Sequence, residues 1–301
     1  PRLKMRTSSS IRNNLLAITA CLLWATPFVF VKFTLEYLPP LTVAGLRFLL
    51  AGLIQLPFCK SPLGPFRLLR RETGTVLLVS LTQTVLLYAG FFYALTLVRG
   101  AQAAIIIGSG PLVSALAAHV AMHDDKLTRR TMVCIVLGMA GIVTISLAAK
   151  PWEPVGLREF FGIMILLSGS VVSAVGNIVV AKKRGALPAI ELNSIQMLIG
   201  GGVLLLCALP VEGVPSMNQP AGFYGALLWL SFVSAAAFGI WFHLLGRMKV
   251  SRLNIWKFLI PLVGALLSWI LIPGESPDPL SLFGMALIIG GLVYSQQKSS
   301  E

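Results

Sequence analysis

Ten mainly apolar stretches, each 18 to 23 residues long, run through the chain near 15–35, 40–57, 75–97, 101–121, 131–148, 159–181, 190–210, 223–245, 253–272 and 280–297. A bilayer core about 30 Å thick is crossed by roughly 20 helical residues. In lipid only a helix or a closed barrel satisfies its own backbone polar groups. Stretches of this length, bounded by Lys, Arg, Pro and Gly, predict an all-α integral membrane protein with ten transmembrane helices. Composition agrees, with 56% hydrophobic and only 12% charged residues among 301 and a mean hydropathy of +0.85. A soluble domain carries about a quarter charged residues, so the two soluble domains that length alone would suggest are set aside.

The basic residues orient the spans, because cytoplasmic loops retain Lys and Arg. Arg2, Lys4, Arg6 and Arg12 precede the first span; Lys60, Arg67, Arg70 and Arg71 follow the second; Lys126, Arg129 and Arg130 follow the fourth. Lys182, Lys183 and Arg184, then Arg247, Lys249 and Arg252, then Lys298 continue the series, so eighteen of the 24 basic residues fall on one side. The alternate loops hold only Arg99, Lys150 and Arg158. Both termini are therefore expected in the cytoplasm, with the protein in a bacterial inner (plasma) membrane. The net charge of +13 reports this topology, with a contribution from anionic lipid head groups. No basic face interleaved with aromatics appears, which argues against a nucleic-acid partner. The apolar run 15–35 exceeds the 7–15 residues typical of a signal-peptide core and reads as a span that stays. Pro1 in place of an initiator Met suggests a processed chain. Cys21, Cys134 and Cys207 lie in apolar runs and Cys59 in a basic loop, a pattern of reduced, small core residues rather than a disulfide framework.

The six residues PLVSAL at 111–116 return as PLVGAL at 261–266. The same offset of 150 sets Lys32 on Lys182, Ala89 on Gly239, Phe92 on Phe242 and Tyr93 on His243. An offset of 149 sets RFLLAG (47–52) on QMLIGG (196–201), and one of 146 sets GMA (138–140) on GMA (284–286). A five-span unit used twice must enter the membrane in opposite senses, which predicts two inverted repeats with a solute site near the midplane where they meet. Pro111 and Pro261 interrupt spans four and nine at matching positions, each removing an amide donor and freeing the carbonyl four residues earlier, that of Ile107 or of Lys257. They are candidate hinges, although a single proline in a membrane helix is as often a packing kink.

At these residues the chain resembles the drug/metabolite transporter superfamily, and among it the EamA-type permeases. The segments that carry the likeness are WATPFVFVKFTLEYLPPLTVAGLRFLLAG (24–52), FFYALTLVRGAQAAIIIGSGPLVSAL (91–116) and WKFLIPLVGALLSWILIPGE (256–275). MHDD at 122–125 stands where the first repeat of that family ends in Gly-Glu. The resemblance implies ten helices around a cavity lined by spans one to four and six to nine, with five and ten peripheral. It also implies export of amino acids or related metabolites by alternating access. The expected layout is a cytoplasmic segment 1–14, a first five-helix repeat 15–148, an extracytoplasmic linker 149–158, a second repeat 159–297 and a cytoplasmic end 298–301. A small-molecule substrate and the bilayer are the expected partners; no cofactor or metal is expected, and a monomer suffices, a homodimer being compatible.

The eleven acidic residues all lie in loops or at span ends. A midplane carboxylate of the kind expected in an exchanger of lipophilic cations is therefore not offered. Arg47 lies seven residues into span two, placed to bind a carboxylate or phosphate or to brace carbonyls at the end of span one. Lys32 and Lys257 lie where they either serve a site or snorkel to the interface. Polar and aromatic candidates for substrate contact are Trp24, Gln83, Tyr88, Ser109, Asn177, Trp241 and Asn254, joined by Arg47 and Lys257. Trp241, His243 and Trp256 also suit an interfacial aromatic belt, and Ser173 suits helix–helix glue. His119 and His243 are the side-chain type that titrates near neutral pH, leaving an exchanger, a proton-coupled carrier and a facilitator open. An exchanger of organic anions or phosphorylated metabolites through Arg47 and Lys257 is the second reading. A membrane-embedded hydrolase at Ser109, or a metalloenzyme at His119 and His123, is a distant third, because neither G-x-S-x-G nor H-E-x-x-H is present.

Overall fold

The computed structural model describes residues 2–98, 100–148, 156–183, 186–271 and 278–296. Arg99, Lys150, Glu153, Arg184, Glu275, Lys298 and Glu301, used above for topology, for the acidic inventory or for the Gly-Glu ending, lie outside them. Fifteen α-helices and no strand occur among the described residues: α1 Arg2–Ala25, α2 Pro27–Thr34, α3 Pro40–Gln55, α4 Gly64–Arg71, α5 Thr73–Ser80, α6 Leu86–Leu95, α7 Gly100–Gly108, α8 Gly110–Ala121, α9 Arg129–Ala148, α10 Leu157–Lys182, α11 Ala189–Glu212, α12 Ala221–Leu245, α13 Val250–Asn254, α14 Leu259–Leu271 and α15 Pro279–Gln296. Among the described residues, eight helical stretches, continuous or only locally interrupted, are long and apolar enough to cross a membrane, and shorter apolar helices cover Ile105–Ala121 and Pro279–Ser295.

Prolines punctuate the starts. Pro40 and Pro279 open α3 and α15, and Pro188 and Pro220 precede α11 and α12, places where a missing amide costs nothing. At the other end of α11 the chain leaves through Gly213 with φ +79°, a conformation that side chains with a Cβ rarely adopt. Four expected spans are not continuous. Span one breaks at Thr26, just before Pro27, and span three widens into a π turn at Leu81–Val85. Span four breaks at Ser109 and span nine passes through a 3-10 turn at Ile255–Phe258. The expected loop 58–73 contains α4, whose prolyl start and basic last turn, Arg70 and Arg71, suit a short helix.

The chain forms two units, Pro1–Phe92 with Val175–Met248, and Tyr93–Ala174 with Lys249–Glu301. In the first, α3 lies along α11 and α12 packs on α1, α2, α3 and α11. The α3–α11 approach is at backbone distance: a Cβ on Gly201 would come within 2.5 Å of the Leu49 amide nitrogen. Ser194 Oγ, in turn, donates to the Gly52 carbonyl at 2.8 Å. Lipid offers no hydrophobic drive for helix association, so close packing and such bonds supply it. Glu212 crosses to the start of α3 and accepts from the amides of Leu41 and Thr42, both at 2.8 Å. Glu72 pairs with Lys183 at 2.8 Å, and that bond holds the Glu72 carboxyl below its ordinary range.

In the second unit α9 runs along α15, with Gly141 and Gly284 facing each other so closely that a Cβ on Gly284 would lie 2.6 Å from the Gly141 carbonyl oxygen. α13 packs on α8 and α7 on α9. Asp125, 0% exposed, accepts the Ser251 amide at 3.0 Å and the Ser251 hydroxyl. It thereby caps the first turn of α13, so the MHDD segment holds a structural carboxylate.

Candidate functional site

Six of the singled-out residues fall in the first unit, Trp24, Arg47, Gln83, Tyr88, Asn177 and Trp241, and five in the second, Ser109, Asn254, Lys257, Pro111 and Pro261. In the first unit all but Gln83 are joined through one face of α12. Ser234, Phe238 and Trp241 stand four and then three residues apart, which puts them on a single helical stripe. Trp24, at the end of α1 beside the Thr26 break, packs its ring 5.1 Å from both Phe238 and Trp241. Trp241 is 1% exposed, and its Nε1 donates to Asn177 Oδ1 at 3.3 Å. Among the described residues the buried Asn177 amide nitrogen has no partner. The belt reading of Trp241 and Trp256 is thereby corrected: an anchoring ring sits at the lipid surface, whereas both of these are buried.

At the other end of the stripe Arg47, 5% exposed, donates Nε to Ser234 Oγ at 2.7 Å. Its guanidinium lies 5.3 Å from the Phe48 ring centre and 5.8 Å from that of Tyr88, and those two rings meet edge to face at 4.4 Å. Among the described residues it bonds no carbonyl of span one, and no carboxylate stands within ion-pair distance of it. Gln83, 2% exposed, sits in the π turn, where α10 comes so near that a Cβ on Gly176 would collide with Gln83 and Thr82.

In the second unit both prolines lie at helix interruptions. Ser109 separates α7 from α8, its hydroxyl turned back to the Ile106 carbonyl at 2.6 Å, and Pro111 lies in the first turn of α8. Pro261 is the third residue of α14, immediately after the 3-10 turn that holds Lys257. Asn254, 0% exposed, donates to the Val250 carbonyl at 2.9 Å, while its Oδ1 and the indole nitrogen of Trp256, both buried, have no partner among the described residues. His119 closes the turn after α8, its Nδ1 accepting the Leu127 amide at 3.1 Å. Among the described residues no three His, Cys, Asp or Glu side chains gather as metal ligands.

The EamA-like transporter family matches this chain over residues 12–147 and again over 160–295. The chain belongs to the EamA-like transporter family. Among its relatives, a probable amino-acid metabolite efflux pump of Salmonella typhimurium is 28% identical over 94% of each chain. The uncharacterized transporter YvbV of Bacillus subtilis is 26% identical, covering 98% of this chain and 95% of its own length. A second probable amino-acid metabolite efflux pump, from Escherichia coli, is 26% identical over 94% of each. A solved crystal structure superposes with a TM-score of 0.78 at 20% identity, covering 95% of this chain and 96% of the other, a likeness of fold. The EamA-like protein is thus a multi-pass membrane transporter.

One feature of this EamA-like transporter escaped sequence reasoning. Gln55 and Asn193 both donate to the Ala235 carbonyl, at 2.5 and 3.1 Å, and Gln196 donates to Asn193 Oδ1 at 3.0 Å. Thr84 donates to Gln196 Oε1 at 2.6 Å and Ser80 to the Gln196 carbonyl at 2.9 Å. A signal existed in ELNSIQM at 191–197, four polar residues at the start of an otherwise apolar span.

Proposed function

We propose that this EamA-like protein exports amino acids or related small metabolites across the bacterial inner membrane by alternating access, as ten spans in two inverted five-helix repeats, 15–148 and 159–297. The single observation that carries the reading is the set of contacts repeated at equivalent places. The family matches two successive stretches of nearly equal length. Within the units, span two pairs with span seven and span five with span ten, partners that a two-fold axis in the membrane plane would bring together. The bond from Arg47 to Ser234 has its counterpart in that between Gln196 and Thr84. Two relatives bear the name amino-acid metabolite efflux pump, which supports that substrate class here.

The stripe on α12, with Trp24, Arg47 and Tyr88 from the first repeat and Asn177 from the second, is the proposed substrate surface in the first unit. Polar groups placed among aromatic rings suit a solute with a charged end and an apolar body. Ser109, Asn254 and Lys257 are proposed substrate contacts within the second unit. Pro111 and Pro261, where helices are already interrupted, are the proposed hinges. Counterflow of labelled amino acids in proteoliposomes tests transport. Trp24→Ala should abolish the thermal shift a transported solute gives wild type, since a ligand of the folded state raises its apparent stability. Cysteine labelling tests the layout: positions 150 and 275 are expected on the face opposite 298, and finding all three together would rule the inverted arrangement out.

A further inference from the structure

The second repeat holds an internal control for Arg47. At an offset of 149 Gln196 stands in the place of Arg47, and at 150 Thr84 stands in the place of Ser234. Both pairs are joined, at 2.7 Å for Arg47 with Ser234 and 2.6 Å for Thr84 with Gln196. A neutral amide therefore suffices for the brace between neighbouring spans. Gln196 also uses its nitrogen, donating to Asn193. Arg47 by contrast brings five donors, and among the described residues only Nε has an acceptor.

The positive charge at 47 is thus surplus to bracing, and it stands 95% buried, judged by its 5% exposure. Guanidinium does not shed its proton in proteins, and a buried unpaired charge is costly. The Phe48 and Tyr88 rings offset part of that cost through their faces, without occupying the terminal fork. What would complete the site is a planar anion able to accept two parallel N–H bonds.

We propose that Arg47 reads a carboxylate on the transported solute, with the rest of that solute lying along the Ser234–Phe238–Trp241 stripe toward Trp24. This rests on the transport reading above and narrows its substrate class. Seven residues of α12 separate Ser234 from Trp241, about 10 Å at 1.5 Å per residue, the length of an amino acid with a large side chain. A carboxylate is favoured over a phosphate dianion because Arg47 is the one cation among the buried residues described, and it neutralises a single charge.

The test uses the full chain, purified in detergent, and its proteoliposomes. Wild-type protein is screened by thermal shift against the twenty amino acids; for each that binds, the matching amide and the decarboxylated amine follow. The acid is expected to bind at least about 30-fold more tightly than its amide, a ratio of about 2 kcal/mol at 1.4 kcal/mol per decade. Arg47→Gln should level that preference, and Arg47→Lys should restore it in part, because Lys keeps the charge without the fork. Should either variant fail to accumulate, the analogue series on wild type decides alone. Amides or amines that bind and counterflow as well as the acids would overturn the carboxylate reading and leave transport standing. Absence of both binding and counterflow across the panel would refute the transport reading and this one together.

Discussion

Asp125→Ala tests whether the start of α13 depends on a carboxylate delivered from the turn after α8. The side chain is 0% exposed and accepts two bonds from one residue, the amide of Ser251 at 3.0 Å and its hydroxyl. Losing the cap bond to the Ser251 amide costs about 0.5–2 kcal/mol, and the buried Ser251 hydroxyl left without this acceptor adds about 1–3 kcal/mol. Relief from burying the carboxylate itself returns part of this, so the net loss is about 3 kcal/mol. Asp125→Asn keeps one acceptor for the Ser251 amide and should lose about 1 kcal/mol. His123, two residues away and exposed, should lose almost nothing on conversion to Ala. Thermal unfolding in detergent reads the series directly. At about 2 °C per kcal/mol for a chain of this size, Asp125→Ala should fall by roughly 6 °C. Equal melting of the His123 and Asp125 alanine variants would refute the cap.

Three further outcomes follow from the same geometry. Gly201→Ala should lose about 3 kcal/mol, because its Cβ meets the Leu49 amide at 2.5 Å and the Gly45 carbonyl at 2.9 Å, backbone atoms that cannot turn aside; Gly202→Ala, with nothing within 4 Å, should melt as wild type does. Burial, and secondarily the Glu191 carboxylate, push the Cys59 thiol from 9.0 up to about 11, so its alkylation by N-ethylmaleimide at neutral pH should run about 100-fold slower than an ordinary cysteine's, since the thiolate is the nucleophile, and Glu191→Gln should speed it. The Glu72 carboxyl is held low by Lys183; its contribution is therefore present above its ordinary 4.5 and is lost as pH falls through the lower folded value, so the stability gap between wild type and Glu72→Gln should close in acid, and also in high salt because the pair is partly exposed.

Span positions were legible because length and hydropathy are properties of a segment taken alone. Eight of the ten expected runs appear as long apolar helical stretches, with ends within a few residues for most. The break near Pro111 was legible because proline states its own consequence. Pro27 carried the same signal for the break at Thr26, whereas no residue at Leu81–Val85 forbids a straight helix, and the π turn there was not legible. The buried polar groups show the same boundary. Arg47 and Asn177 stood out as polar residues within apolar runs, but Ser234 as the acceptor of Arg47, or Ala235 as the shared acceptor of Gln55 and Asn193, depends on which spans become neighbours. Periodicity sets the face of a helix; only packing chooses its partner.

In the proposed repeat architecture, equivalence between the halves has an energetic consequence. Were both five-helix copies identical, the two-fold axis would interchange the inward- and outward-facing arrangements, and neither would be favoured. Every position where the copies differ then biases that equilibrium by its own free energy, about 1.4 kcal/mol for each tenfold change in population. Arg47 against Gln196 and Asp125 against the Gly-Glu ending of the second repeat are such differences. The first puts a charge in one copy where the other has a satisfied amide, so a solute anion at Arg47 would stabilise the arrangement in which that fork is reachable. Solute and scaffold would thus act on one equilibrium, with the interrupted helices at Ser109 and Ile255–Phe258 allowing it to turn over.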